Sequence, residues 1–283
     1  MSMAHVVRRK RKHNIILYIV CILLAALSIL PFWIMIVNAT RSTYQIQEHA
    51  ISFIPSGYLL NNLQVLSGKT FNPITGFLNS LLISTGATIC AVYFSTLTAF
   101  ALVAYNWKMR QPFFTLILAI MMIPTQVTSI GFYRFMYSLH MTNNLLALIL
   151  PSIAAPMTVF FMRQYMLPSL NLDIVASSRI DGAGEFRTFN AIVLPIMKPA
   201  MATQAIFTYV STWNSLFMPM ILLTNKENYT MPIMVSQLKG DIYRTEYGAV
   251  YLALTMSVLP LLIVYFILSK YIIAGVALGS VKE

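Results

Sequence analysis

The sequence predicts an all-α integral membrane protein with six transmembrane helices and both termini on one side. Three observations predict it. Of the 283 residues, 58% are hydrophobic and only 10% are charged, against about 25% charged in soluble domains. Uncharged apolar runs of membrane-crossing length recur six times, and the basic residues gather in alternate connecting segments. The formal charge of +11 fits the positive-inside pattern of membrane proteins. Nucleic-acid binding is disfavoured, because Lys and Arg are not clustered with stacking aromatics on a polar surface. Cys21 and Cys90 lie within apolar runs, which argues against a disulfide framework.

Residues 1–14 form a basic N-terminus carrying Arg8-Arg9-Lys10-Arg11-Lys12, and an uncharged run follows from Ile15 to Val37. Val37-Asn38-Ala39 loosely resembles a signal-peptide cleavage site. The run has 23 residues, however, where a signal peptide's apolar core has about 7–15. At 1.5 Å per residue it reaches about 35 Å, enough for a hydrocarbon core of about 30 Å, and it is read as an uncleaved first span. Residues 38–76 are polar and turn-rich, with Pro55, Gly57, Gly68 and Pro73. Further uncharged runs cover about 77–105, 113–133, 145–162, 200–223 and 248–269. Residues 15–283 then make one six-span domain without internal repeats. Pro151 and Pro156 predict a kink in the fourth span.

Thirteen of the nineteen Lys and Arg fall on the N-terminal side of this topology. They are the five at Arg8 to Lys12, then Lys108, Arg110, Arg163, Arg179, Arg187, Lys198, Lys270 and Lys282. Arg41, Lys69, Arg134, Lys226, Lys239 and Arg244 fall on the other side. The positive-inside rule therefore predicts cytoplasmic termini and a cytoplasmic loop at about 167–191.

Within the limits given, no run contains Asp, Glu, Lys, Arg or His. Proton- and sodium-coupled transporters usually keep an ionisable group at membrane depth, and a voltage sensor needs an arginine series. Walker A, H-E-x-x-H and G-x-S-x-G patterns are missing from the sequence, and with them the sequence signatures of common ATP-binding, zinc and serine chemistry. His5, His13, His49 and His140 fit no metal-ligand spacing. The sequence predicts no catalytic residue and no metal site, so energy for transport has to come from another chain.

Two segments carry candidate functional residues. The stretch Leu172–Ala200 gathers three of the eight carboxylates, Asp173, Asp181 and Glu185, with Arg179 and Arg187 between them. Leu172, Val175, Ala176 and Ile180 recur at i, i+3, i+4 and i+8, which predicts one face of a short helix. Gly182 supplies the backbone freedom to end it and turn. Such a segment suits docking at a membrane surface, and equally a solvated connector. The fifth run concentrates Gln204, Thr208, Tyr209, Ser211, Thr212, Trp213 and Asn214, and Gln126 sits in the third. Amides, hydroxyls and flat aromatic faces are what a neutral sugar requires along a pathway. The same residue types also hold transmembrane helices together, so both roles stay open.

Gly182, nine further residues and then Ile192-Val193-Leu194-Pro195 resembles the cytoplasmic coupling motif of ABC importer permeases, Glu-Ala-Ala, three residues, Gly, nine residues, Ile-x-Leu-Pro. Arg179-Ile180-Asp181-Gly182-Ala183 looks like the version in maltose-importer-like sugar permeases. Ala176-Ser177-Ser178 stands in the place of Glu-Ala-Ala, and Asp173, one turn earlier, is the nearest acidic substitute. Shorter stretches are similar to the same family: Phe53-Ile54-Pro55, Asn61-Asn62-Leu63, Asn79-Ser80, Asn143-Asn144-Leu145, Met162-Arg163-Gln164, Phe207-Thr208-Tyr209 with Trp213-Asn214 and Pro219, Asn228 to Pro232, and the tail Gly275 to Lys282.

The resemblance implies a type I ABC importer permease fold with its core in spans two to six, in a bacterial cytoplasmic membrane. It implies a second permease, two ATPase subunits that bind the ATP and Mg, and an extracytoplasmic solute-binding protein. No cofactor is expected in this chain. Coupling to the ATPase would fall to Asp173, Ala176, Ser177, Ser178, Arg179, Asp181, Gly182, Leu194 and Pro195. The pathway would use Gln126, Gln204, Thr208, Tyr209, Thr212, Trp213 and Asn214, and binding-protein contacts Asn228, Tyr229 and Ser236. The implied cargo is a carbohydrate, an oligosaccharide first. The alternatives are another neutral solute, or a stand-alone secondary transporter or channel.

Overall fold

A computed structural model describes residues 3–68, 72–238 and 245–280, and every regular element among them is helical. Lys69, Lys239, Arg244 and Lys282 of the orientation count lie outside the described residues. In chain order the helices are α1 (Met3–Ala39), α2 (Thr43–Glu48), α3 (Leu59–Gly68), α4 (Pro73–Ala104), α5 (Arg110–Met121), α6 (Thr125–Ser138) and α7 (Leu146–Ile149). A 3-10 turn, Leu150–Ile153, leads into α8 (Pro156–Ser169), and α9 (Leu172–Ile180) and α10 (Glu185–Thr188) follow. A π-turn at Phe189–Val193 opens α11 (Leu194–Trp213), and α12 (Phe217–Leu222), α13 (Met231–Leu238) and α14 (Tyr247–Ser280) complete the chain.

Five helical stretches are long and apolar enough to cross a membrane: Ile16–Ala39, Pro73–Ala104, Leu146–Ser169, Glu185–Trp213 and Tyr247–Ile267. A sixth results if α5 and α6 are taken as one broken span. Several predicted limits need correction. The third run, expected to be continuous over 113–133, bends by 104° between α5 and α6. Pro124 stands at the break, and a residue preceding proline is steered out of the helical region. The fourth span reaches seven residues further than expected, to Ser169, and is interrupted ahead of Pro156. The fifth was expected at 200–223, yet its helix starts at Glu185 and ends at Trp213, with α12 separate. Arg134, Arg163 and Lys198 therefore stand within helices, so freedom from charge applies to the apolar runs and not to whole helices.

The chain divides into two compact units, Met1–Phe71 with Val235–Val258, and Asn72–Met234 with Leu259–Glu283. In the second unit α4 is the central helix. It starts cleanly, because the Asn72 side chain accepts from the Thr75 amide at 3.2 Å and Pro73 occupies the first turn, where its missing N–H costs nothing. Ser80, Ser84, Ala87, Ala91, Ser95 and Ala99 follow at three- and four-residue intervals along it, all buried. Small side chains let α8 and α11 approach closely, which is how apolar helices associate where lipid is as apolar as the core. Larger residues then fill the remaining space: Phe100, Met162, Met166, Phe189, Val193 and Met197 form one buried cluster. α11 runs antiparallel to α4, with Phe77 against Trp213 at 5.9 Å near one end and Phe100 against Phe189 at 5.8 Å near the other.

The first unit is organised by polar groups. Arg41 is buried and donates to the Asn38 side chain at 3.0 Å and to the carbonyls of His49 and Gln45 at 2.7 and 2.8 Å. The buried Asn62 amide donates to the carbonyls of Ala39 and Arg41 at 2.8 and 2.9 Å. Gly248 closes this knot, since a Cβ there would stand 2.3 Å from the Arg41 carbonyl oxygen. Arg41 entered the sequence reading only as a charge on one side, and its structural role comes from these carbonyls converging on it.

Candidate functional site

Helix α9 is a nine-residue element with both ends satisfied locally. The Asn171 side chain accepts from the Asp173 amide at 2.9 Å, and Asp173 lies in the first turn, where the helix dipole favours a carboxylate. At the other end Asp181 is the cap and Gly182 takes φ +77°. The Gly182 amide donates to the Arg179 carbonyl at 3.1 Å, and the Ala183 amide to the Ser178 carbonyl at 3.0 Å. These paired bonds are a Schellman motif, which needs a left-handed residue at the position of Gly182. The turn expected from the sequence is present.

The inward face differs from the expected one. Val175 is 1% exposed and joins the cluster containing Phe189 and Val193. Ser178 is buried too, its hydroxyl 2.8 Å from that of Thr188. Leu172, Ile174 and Ile180 stand exposed, Ile180 by 87%, and Phe186 on α10 by 70%. Of the i, i+3, i+4, i+8 set only Val175 turns inward, because only the Val175–Ser178 strip reaches the body of the protein, while the other residues of the helix are exposed. Ala176 and Ser177 are also exposed.

Three further contacts fix α9 to its base. Arg179 forms a two-pronged ion pair with Glu185, Nε to Oε1 at 2.7 Å and the terminal nitrogen to Oε2 at 3.1 Å. The Tyr105 hydroxyl, at the end of α4, donates to the same carboxylate, and the Arg179 guanidinium lies over the Tyr105 ring at 5.1 Å. Burial first, and then the bond to Glu185, push the Tyr105 phenol up, so it stays a donor at neutral pH. The bond to Glu185 likewise holds Arg179 firmly protonated. Beyond the clamp, the Tyr93 hydroxyl of α4 donates to Asn190 at 3.2 Å, and Asn190 donates to the Phe186 carbonyl at 2.8 Å. A groove of about 290 Å³ lies beside α9, bordered by Ser178, Asp181, Arg187, Thr188, Ala191 and Ile192.

Leu194 and Pro195, which end the coupling-like motif, are the first turn of α11. The Leu194 amide donates to the Phe189 carbonyl, five residues back. A π-turn of this kind widens the helix just ahead of Pro195, where the ring would otherwise press on the preceding turn. Helix therefore runs from α10 through the π-turn into α11 as one span.

The residues predicted for the pathway divide into two sets on α11. Gln204, Tyr209 and Trp213 are buried, Trp213 to 1% exposure, and Tyr209 and Trp213 stack at 5.8 Å. Asn214 is exposed, together with Phe207 and Ser211, and Thr208 and Thr212 are half-buried between the two sets. Gln126 is exposed on α6, away from α11 in sequence. Of the residues predicted for binding-protein contact, Asn228 and Tyr229 are engaged within the chain. Asn228 donates to the Asn143 carbonyl at 2.7 Å, and the Tyr229 hydroxyl donates to the Thr224 carbonyl at 3.2 Å. Ser236 is half-buried on α13.

Sequence reasoning missed three residues that organise these segments. Tyr105 carried no signal, because it simply ends an apolar run. Glu185 was counted but given no partner. Asn143 adopts φ +57°, and its side-chain oxygen accepts from the amides of Thr224 and Asn225 at 3.1 and 2.9 Å. Asparagine tolerates that conformation better than most residues, so the Asn143-Asn144 pair was the available signal.

Fold and site together define a multi-pass helical membrane protein that presents a short, rigidly based helix outside its spans. The family model for the inner membrane component of binding-protein-dependent transport systems matches residues 91–277. The chain belongs to that family, the permeases of ABC importers. It is 32% identical over 261 residues to an arabinooligosaccharides transport system permease protein of Halalkalibacterium halodurans, covering 92% of this chain and 93% of that one. A lactose transport system permease protein of Rhizobium radiobacter is 29% identical over 274 residues, covering 97% and 98%. Among solved structures, a bacterial ABC transporter involved in the import of the acidic polysaccharide alginate superposes with a TM-score of 0.77 at 21% identity, over 93% of this chain and 98% of that one. That likeness supports the fold.

Proposed function

We propose that the chain is a permease subunit of an ATP-driven carbohydrate importer, with an oligosaccharide as cargo, and that α9 is the element through which ATPase subunits drive it. The observation that carries this reading is α9 itself. Leu172, Ile174, Ile180 and Phe186 present apolar side chains on a polar segment, while Val175, Ser178 and Arg179 tie the helix to α4 and to the start of α11. Exposed apolar side chains on a segment braced from behind are what a docking partner requires. The lactose and arabinooligosaccharides relatives support carbohydrate as the solute class.

In this reading the loop carrying α9 faces the cytoplasm, and closure of two ATPase subunits displaces α9 as a rigid lever. The displacement passes to α4 through Tyr105 and Glu185, and to α11 through Thr188 and the π-turn. A second permease completes the pathway. On α11, Phe207, Ser211 and Asn214, spaced i, i+4 and i+7 and exposed in the single chain, face that pathway, while Gln204, Tyr209 and Trp213 hold the helix against its neighbours. The extracytoplasmic binding protein meets the 224–228 turn, where Lys226 and Glu227 are exposed and Asn143 and Asn228 supply rigidity. ATP and Mg belong to the ATPase partners.

The test is uptake by a deletion strain across a panel of labelled oligosaccharides and non-sugar neutral solutes, with affinity purification of the tagged chain. The expected result is loss of uptake of one oligosaccharide group and co-purification of ATPase subunits. Purification without any ATPase would overturn the importer reading, and loss confined to a non-sugar solute would overturn the carbohydrate one.

A further inference from the structure

Neither the docking helix nor the pathway uses Arg110 or Arg163. Arg110 is the first residue of α5 and Arg163 belongs to α8. These helices pack against each other with Phe114 stacked on Phe160 at 6.3 Å and an interplanar angle of 11°, and with Ile117 beside Val159. The pairing is antiparallel, so Arg110, one turn before Phe114, and Arg163, one turn after Phe160, come to the same end of the helix pair. The Arg163 guanidinium lies 4.0 Å from the Phe114 ring centroid.

Neither has a carboxylate. The Arg179–Glu185 pair is the single ion pair among the described residues. The Nε atoms of Arg110 and Arg163 are both shut off from solvent and have no hydrogen-bond partner there. Lys108 is exposed in the same turn, and no side chain caps the start of α5, so its positive helix end faces the same region. Trp107 is half in, half out of the surface, its indole bonded to the Ala101 carbonyl at 3.3 Å, as suits a residue at a membrane–water boundary. Half-buried like charges without a counter-ion are unfavourable at the edge of a bilayer. The anion available at that depth, with oxygens that match a guanidinium fork, is a lipid phosphate.

We propose that Arg110 and Arg163, with Lys108 beside them, form a binding site for the phosphate of an anionic phospholipid headgroup at this end of the α5–α8 pair. The acyl chains would lie along the apolar surface of these helices, and the lipid would brace the end of α4, from which Tyr105 reaches the docking segment. The site does not depend on which solute is carried, so its failure would leave the proposed function standing.

The experiment is native mass spectrometry of the full-length chain, purified in mild detergent with its accompanying subunits and supplied with phosphatidylglycerol or phosphatidylcholine. The wild type is expected to retain phosphatidylglycerol in preference. Arg110→Gln and Arg163→Gln should each lower retention about fivefold, and the double variant about thirtyfold. Arg163→Lys should keep more lipid than Arg163→Gln, and Arg134→Gln should retain the wild-type amount. Because Arg163→Gln can disturb packing on Phe114, Arg110→Gln, at the helix start, serves as the second variant. Inorganic phosphate added at millimolar concentration separates the sources: it should fail to displace the lipid. Equal retention of both lipids, unchanged retention in the double variant, displacement by phosphate alone, or a cross-link from Arg163→Cys to a partner subunit's acidic segment would each overturn the proposal.

Discussion

Gly182 offers the sharpest test of the docking helix, because its environment isolates one physical term. Its φ of +77° is left-handed, and a Cβ built there would meet nothing within 4 Å. Substitution therefore introduces no clash, and the cost is conformational. For an L-residue the left-handed region costs about 1–2 kcal/mol, and more for a β-branched side chain. If the turn relaxes instead, it forfeits the Gly182–Arg179 and Ala183–Ser178 bonds, at about 0.5–1.5 kcal/mol each. Either route removes roughly 1–3 kcal/mol from the local arrangement, which lowers the docking-competent fraction by about fivefold to a hundredfold where that arrangement is only marginally favoured. The expected order of activity is wild type, Gly182→Asn, Gly182→Ala, Gly182→Val, since asparagine accepts the left-handed region best. The assay is initial uptake rate at matched membrane level, with ATPase response to loaded binding protein. Wild-type uptake and response in Gly182→Val would refute the reasoning, and Gly182→Asn as damaged as Gly182→Val would refute the conformational cause.

Removing either Arg179 or Glu185 should cost only about 0.2–1 kcal/mol of stability, because their side chains are 38% and 50% exposed, while the stimulated ATPase falls more steeply; a double-mutant cycle with strictly additive effects on both readouts would show the pair to be inert. Orientation is checked by impermeant thiol labelling of intact cells in a background lacking Cys21 and Cys90. Lys226→Cys, exposed, should react and Ser177→Cys, exposed on α9, should not; the opposite result reverses the topology. Trp213→Ala, at a fully buried site, should cost about 3–5 kcal/mol and lower the amount of folded protein, whereas Asn214→Leu should lower uptake at constant membrane level; if both lose only uptake, the division of α11 into packing and pathway faces is wrong. Gly248→Ala should reduce membrane level, because its Cβ would be driven to 2.3 Å from the Arg41 carbonyl oxygen, and Gly57→Ala, with open space around it, should not; equal levels in the two would remove Gly248 from the polar knot.

The helical spans were legible because membrane insertion is a property of local composition. A run such as Ile15–Val37 is apolar whatever it packs against, and the structure returns it as Ile16–Ala39. Gly182 was legible for a related reason, since a left-handed turn is a local backbone demand and glycine meets it without strain. Charge proved a poor guide to where a span starts. Glu185 and Lys198 were taken to stand outside the fifth run, yet helix continues through both, because a helix needs only backbone bonds and can carry charged residues at its ends.

What the sequence by itself determined, then, is whatever depends on a residue and its immediate neighbours: apolar span composition, the turn at Gly182, and the motif that ends at Pro195. The tertiary structure decided which side of each element faces inward. In α9 the pattern nominated Leu172, Val175, Ala176 and Ile180, and packing kept Val175 and added Ser178. In α11 one polar cluster became two faces, because the helix turns Gln204, Tyr209 and Trp213 inward, with Trp213 against Phe77 of α4, and leaves Phe207, Ser211 and Asn214 exposed. The Tyr105–Glu185–Arg179 clamp joins residues 80 and 6 positions apart in sequence. Such groups meet only when the helices have assembled, and no pattern along the chain records that meeting.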